Sequence, residues 1–346
     1  MSASLVTVLI PSYRDHSLVE RSLPRILEGT MRDLEVVVLN SDPAQAARLG
    51  STVRSLADGR VRIVDFEHRA FARAINAGID TTAGGIVFFA NSDLFVSNGY
   101  VDEMLGFFSR HPRAGAATGK ILRYELGADR ETDVIDTTGH VIGRDRRVVD
   151  RGENERDAGQ YDREDQVFSV SGAALVARRA ALESIKVRGE YVDESFDMYK
   201  EDVDLCWRLR LAGWECWHVP TALAYHARTS RGLGAETYLS APRAFHEQQR
   251  TKPSSIRINS MKNQWLMLIK NEDRPNVVRD LHRILGREAL VLGHNLVFSP
   301  RDTVQAISQF GRALPGAMRR RREIKARQTV APSRMRPWFG RAGGAS

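Results

Sequence analysis

Tyr199-Lys200-Glu201-Asp202-Val203-Asp204-Leu205-Cys206-Trp207-Arg208-Leu209-Arg210-Leu211-Ala212-Gly213-Trp214 puts three carboxylates within four residues and follows them at once with a helical pattern. Cys206, Leu209 and Ala212 share one stripe, with Leu205 beside them. Gly213 stands where a glycine commonly ends a helix. Acidic residues in a first turn suit the positive end of the helix dipole, so a capped surface helix accounts for some of this acidity. It does not require Glu-Asp-x-Asp preceded by Tyr199. Asp202 lies one turn before Cys206, at the top of the apolar stripe, where a carboxylate can face a cleft.

Upstream, short apolar runs alternate with helical patterns. Leu5–Ile10, Leu34–Leu39, Val61–Phe66 and Ile86–Ala90 read as strands, and 17–28, 44–57 and Phe71–Ile79 as helices. Strands that are nearly continuous apolar runs predict an α/β fold with a mostly parallel central sheet covered on both faces. Ligands of such sheets bind outside the carboxyl ends of the strands. Those ends read Pro11-Ser12-Tyr13-Arg14, Asn40-Ser41-Asp42 and Asn91-Ser92-Asp93, all polar and all expected along one edge. Gly115-Ala116-Ala117-Thr118-Gly119-Lys120-Ile121 is no phosphate loop, because its glycines are one residue too close and Ile121 stands where a hydroxyl is needed. No G-x-G-x-x-G follows the first strand.

Residues 129–163 are rich in charge and glycine and read as a long loop with short strands at Val141–Ile142 and Arg147–Val149. Val167–Val170 and Ala174–Ala177 bracket Ser171-Gly172-Ala173, where the glycine either admits a close backbone approach or marks a bulge. Glu215–Val219 and Ala222–Tyr225 are strand-like and end at His226. Residues 229–255 give no firm pattern; Ile256–Lys270, 276–292 and 302–322 are helical. Cys206, Cys216, His218 and His226 lie close in sequence but lack the paired spacing of a zinc site.

A 346-residue chain that is 42% hydrophobic suits one large α/β domain with an appendage. The expected division is 1–228, 229–315 as a helical carboxyl-terminal region, and 316–346 as a basic, flexible tail. No apolar run reaches 18 residues. The chain enters a strand by Leu5, leaving no room for a signal peptide, and its two cysteines give no disulfide framework, so a cytoplasmic protein is expected. The net charge of +8 equals the excess within 316–346, which leaves the remainder formally neutral and argues against nucleic-acid binding. Arginines near Trp338 and Phe339 suggest instead a peripheral contact with the inner face of the plasma membrane.

Together, the Tyr199–Trp214 stretch, Val219-Pro220, Tyr225-His226, Val8–Tyr13, Phe71–Ile79, Asn91-Ser92-Asp93, Ser171–Ala174 and Lys262-Asn263 resemble a family 2 inverting glycosyltransferase of the GT-A fold, rhamnosyltransferase-like, over about Leu5–Asn271. The resemblance implies transfer of a sugar from a nucleotide-sugar donor, dTDP-rhamnose or a UDP-sugar, to a glycan or lipid-linked acceptor in cell-surface polysaccharide synthesis. It makes Asp202 the base, with Glu201 and Trp214 on the acceptor side. It makes Asp93 and His226 ligands of magnesium or manganese, and assigns the donor to Pro11, Ser12, Tyr13, Arg14, Asn40, Arg69, Asn76, Asn91, Ser92, Asp93 and Gly172. Arg73 is a further candidate donor contact. Asn91-Ser92-Asp93 departs from the family's metal motif in offering one carboxylate, and Leu39-Asn40-Ser41 departs at the base-reading position. A catalytically silent nucleotide-sugar or glycan-binding protein of the same fold is the alternative.

Overall fold

The structure, a computed structural model, describes residues 6–29, 33–66, 71–228 and 242–340. The first half runs β1 (Val6–Ser12), α1 (His16–Leu27), β2 (Leu34–Asn40), α2 (Ala46–Leu56), β3 (Val61–Asp65), α3 (Phe71–Asp80), β4 (Ile86–Ala90), β5 (Leu94–Val96) and α4 (Tyr100–Arg110). Then come β6 (Ala114–Glu125), β7 (Arg130–Thr137), β8 (His140–Ile142), β9 (Val148–Asp150), β10 (Asp165–Gln166), β11 (Ala174–Arg178), α5 (Arg179–Ser184), α6 (Glu201–Leu211) and β12 (Glu215–His226). The chain closes with α7 (Pro242–Thr251), α8 (Ser254–Asn271), α9 (Arg274–Phe298), α10 (Pro300–Arg327) and α11 (Pro332–Met335).

The main sheet has the order β10-β12-β6-β11-β4-β1-β2-β3, with β5 on β12 and β7 on β6. The β3-β2-β1-β4 half is parallel, as its apolar runs predict. Beyond β4 the sheet turns mixed: β11 is antiparallel to β4 and β6, while β12 runs parallel to β6. In the stretch 129–163 the short strands expected near 141 and 148 form the β8–β9 hairpin, while β7, paired with β6, stands where only loop is expected. Gly115–Ile121 lies inside β6. A Cβ on Gly119 would come within 2.0 Å of the Ala222 carbonyl oxygen, where β12 shifts register, so the small residues there serve strand packing.

One face of the sheet is covered by α1, α2 and α4 through Val19, Leu23, Leu49, Met104 and Phe107. The other is covered by α3, α5 and α6 through Ile75, Ile79, Leu182, Cys206 and Leu209. A third cluster joins the far side of α6 (Val203, Trp207, Leu211) to Leu266 and Met267 of α8, Ala317 and Ile324 of α10, and Met335 and Phe339. All of Val203–Leu211 is therefore buried, and α6 is no surface helix. Asp204, fully buried, anchors the join: it meets Arg208 at 3.0 Å, Lys270 at 2.9 Å and the Asn271 amide at 2.6 Å.

The described part of the basic segment, to residue 340, is a packed element rather than a flexible tail, and the boundary at 316 falls inside α10. Arg320 pairs with Glu190 at 2.8 Å and with Asp193 at 3.3 Å. Arg321 donates to the Ile269 and Glu272 carbonyls, and Lys325 pairs with Asp273. Trp338 stacks on the Arg210 guanidinium and Phe339 is buried, so neither is available as a membrane anchor. No helix among the described residues is long and apolar enough to cross a membrane.

Candidate active site

The carboxyl ends of β1, β2 and β4 meet at one edge, joined there by the start of β11 and the end of β12. Pro11 and Ser12 close β1 opposite Leu39 and Asn40 of β2. Asp15 ties the edge together: it accepts from Ser12 Oγ at 2.5 Å through one oxygen and from Ser92 Oγ through the other. Asp15 sits at the N-cap position of α1, yet its side chain makes no capping bond. The sequence reading missed it because a carboxylate before a helix usually means only a cap. Arg14, in the left-handed region at φ 60°, lies over the Tyr13 ring and 3.5 Å from Asp42.

Asp93 and His226 come together. Asp93 Oδ1 lies 3.1 Å from His226 Nε2, and His226 Nδ1 lies 2.9 Å from Asp136 Oδ2. Asp136 is fully buried on β7 and is bracketed by Arg228 at 3.1 Å. Arg228 also meets Asp150 at 3.0 Å and Glu153 at 3.4 Å. Burial works against the His226 cation, but two flanking carboxylates outweigh it and push the imidazole up to about 9. Burial likewise opposes the Asp93 charge, yet the hydrogen bond and charge of His226 hold this carboxyl below its ordinary value. Asp136 was invisible in the sequence, lying in a stretch read as loop.

Asp202 opens α6 with both oxygens held by backbone donors: Gly172 N–H to Oδ2 at 2.8 Å and its neighbour's Val203 N–H to Oδ1 at 2.7 Å. A Cβ on Gly172 would stand 3.2 Å from Asp202 Cβ and Oδ2, so the glycine admits this carboxylate. Glu201 beside it differs. Burial first, then the Asp202 charge, push its carboxyl up to about 8, and its buried Oε2 has no hydrogen-bond partner. The turn before α6 is strained, with Asp197, Tyr199 and Lys200 at φ 58°, 73° and 69°. Asn263 of α8 holds it, its Nδ2 donating to the carbonyls of Phe196, Met198 and Tyr199 at 2.8 Å each.

Other expected site residues have different positions. Asn76 spends its amide on the 191–194 segment: Oδ1 accepts from Tyr191 N and Val192 N, while Nδ2 donates to Val192 O and Glu194. It clamps that segment to α3, and its amide is spent there. Trp214 follows the far end of α6, an 11-residue helix about 16 Å long with Asp202 in its first turn, and it packs on Gly115 with its Nε1 donating to Ser184. It is therefore not on the acceptor side. Asn40 is turned inward, bonding Asp65, Asp42 N and Gln45. Arg73 pairs with Glu194 at 3.1 Å. Arg69 lies outside the described residues.

A family model described as glycosyltransferase like family 2 matches residues 3–241. The chain belongs to that family. An N-acetylglucosaminyl-diphospho-decaprenol L-rhamnosyltransferase of Mycobacterium tuberculosis is 31% identical over 174 residues, covering 45% of this chain and 51% of the relative. Among solved structures, GalNAc-T7 with UDP, GalNAc and Mn2+ superposes with a TM-score of 0.58 at 11% identity, over 79% of this chain and 49% of the other. Staphylococcus aureus TarS 1–349 with UDP-GlcNAc gives 0.54 at 14% identity, over 96% and 85%. These likenesses show the GT-A fold. The chain spans between 14% and 51% of the length of the curated relatives it matches.

The family implies a divalent metal, and the residues fit a sparse site. An imidazole and a carboxylate converge, and the second imidazole nitrogen is oriented by buried Asp136, as outer carboxylates orient metal-binding histidines. No group of three metal-ligating side chains exists among the described residues, so substrate and solvent oxygens would complete the shell.

Proposed function

We propose that this protein is an inverting glycosyltransferase that moves a sugar from a nucleotide-sugar to a glycan or lipid-linked acceptor in cell-surface polysaccharide synthesis at the cytoplasmic side. The observation that carries the reading is the Glu201/Asp202 pair beside Gly172, on the same edge as Asp93 and His226. Asp202 has both oxygens on backbone donors and is set to take the proton from an attacking hydroxyl. Burial, then the neighbouring Asp202, push the Glu201 carboxyl up to about 8, which sets it apart from a carboxylate base. Asp93 and His226 would hold magnesium or manganese, whose part is to neutralise the leaving diphosphate. The loop ends tied by Asp15, with Tyr13, Arg14 and Asn91, line the donor side. The rhamnosyl relative favours dTDP-rhamnose, and the nucleotide complexes of the structural neighbours favour a UDP-sugar.

The test is transfer from a panel of nucleotide-sugars with manganese, with the product anomer read by NMR. Inversion of the anomeric centre and loss of transfer in EDTA are expected. Retention of configuration overturns the single-displacement reading. Unchanged transfer in EDTA removes Asp93 and His226 from a metal role.

A further inference from the structure

Helix α9 is built inside out. Its buried side is mostly polar: Asn276 donates to the Pro332 carbonyl, Asp280 pairs with Arg146 at 3.0 Å, His294 packs against His246, and Asn295 donates to Met261 Sδ. Its outer side carries Val278, Leu281, Leu285, Ala289, Leu292 and Leu296, spaced by three or four residues and so aligned on one stripe. Val278 is 73% exposed, Leu285 57%, Leu296 45% and Leu281 42%. A continuous apolar stripe of this length facing water marks a surface made to be covered.

The charge around the stripe says by what. Arg274 lies in line with the stripe and Arg279 at its margin, about 100° round the helix; both are exposed and neither has a carboxylate partner among the described residues. The only acidic residues of α9 are spent elsewhere: Asp280 on Arg146 and Arg336, Glu288 on Arg287 and Trp265. In a two-fold dimer this patch would meet itself: side by side the arginines oppose each other, and head to tail they face the leucines of the second half, in neither case meeting a carboxylate. An anionic lipid surface accepts both parts, leucines into the headgroup boundary and arginines onto the phosphates. At 25 residues α9 is about 37 Å long, and its exposed side can lie in the plane of a membrane.

We infer that the outer face of α9 docks this protein peripherally on an anionic membrane, a contact distinct from the packed basic segment that follows it.

Co-sedimentation of the full chain with phosphatidylglycerol/phosphatidylcholine vesicles, against phosphatidylcholine alone, tests this without any transfer assay. The full chain should partition onto the anionic vesicles. Leu285→Glu/Leu296→Glu should lower that partition by about a hundredfold, and Arg274→Gln/Arg279→Gln by about tenfold, both with unchanged circular dichroism and melting. Equal, weak pelleting of the full chain with both vesicles overturns the inference, as do variants that bind like the parent. A dimer in solution that Leu285→Glu/Leu296→Glu turns into monomer also overturns it, since a second copy then covers the stripe.

Discussion

Three carboxylates in four residues end in three different states. Asp204 is a buried anchor for Arg208, Lys270 and Asn271; Glu201 is held protonated by burial; Asp202 is presented on backbone N–H groups. Sequence alone marked all three as acidic at a helix start, but what separates them is tertiary: Asp204 meets Lys270 and Asn271 of α8, and Asp202 meets Gly172, neighbours distant along the chain. Replacing Gly172 by alanine would put a methyl 3.2 Å from Asp202 and displace it by tenths of an ångström. Turnover should drop by about tenfold or more, since misplaced reacting groups are costly, while the melting temperature barely moves; a steady-state comparison beside a melt checks this. Glu201 predicts a pH effect on stability. Its folded value near 8 lies above the ordinary 4.5, so the folded state holds a proton the unfolded chain releases. Its stabilising share is full below about 4.5 and fades as pH rises through 8. Denaturation at pH 6 and pH 9 should show a loss for the parent that Glu201→Gln lacks.

At the scale of elements, the parallel half of the sheet was legible because its strands are unbroken apolar runs, each followed by a helical pattern. The β6 strand was not, because Ala114-Gly115-Ala116-Ala117-Thr118-Gly119 has few of the bulky residues that announce a strand. Its small residues are required by Trp214 and the Ala222 carbonyl lying against them, neighbours that no local pattern reveals. At the candidate site, two pairings expected from sequence lie side by side, Asp93 with His226 and Gly172 with Asp202. Asn76 and Trp214 instead spend their polar atoms on the 191–194 segment and on Ser184, partners set by tertiary packing that no local pattern reveals. Helix α8 carries the strongest structural prediction. Lys270 lies 2.9 Å from Asp204 and also meets Asp193, all three fully or nearly fully buried. Lys270→Ala leaves two buried carboxylates short of their cation and should cost about 3–5 kcal/mol, read as a shift in the urea midpoint.

Across the whole molecule, the formal charge of the basic segment overstates what it offers to solvent. Arg320, Arg321 and Lys325 are spent on carboxylates and helix-end carbonyls, while Ala317, Ile324, Met335 and Phe339 complete the core behind α6. Composition could not distinguish this from a solvated tail, because arginine serves both. Deleting residues 316–346 therefore should not yield a competent enzyme. Each lost large apolar side chain is worth about 1.5–3 kcal/mol, and several together rival the total stability of an ordinary domain. A thermal melt of the truncated chain should show no cooperative transition. A normal melt would mean that the segment is dispensable.

The central claim is that Asp202 is the base, and the measurement that tests it most directly is nucleotide-sugar transfer by Asp202→Asn alongside calorimetric donor binding by the same protein. Asparagine keeps the size of the side chain and the Gly172 contact but cannot take the proton. Donor affinity should stay within about threefold, while transfer falls by about 100- to 10,000-fold. Transfer near the parent rate with donor binding intact would contradict the account.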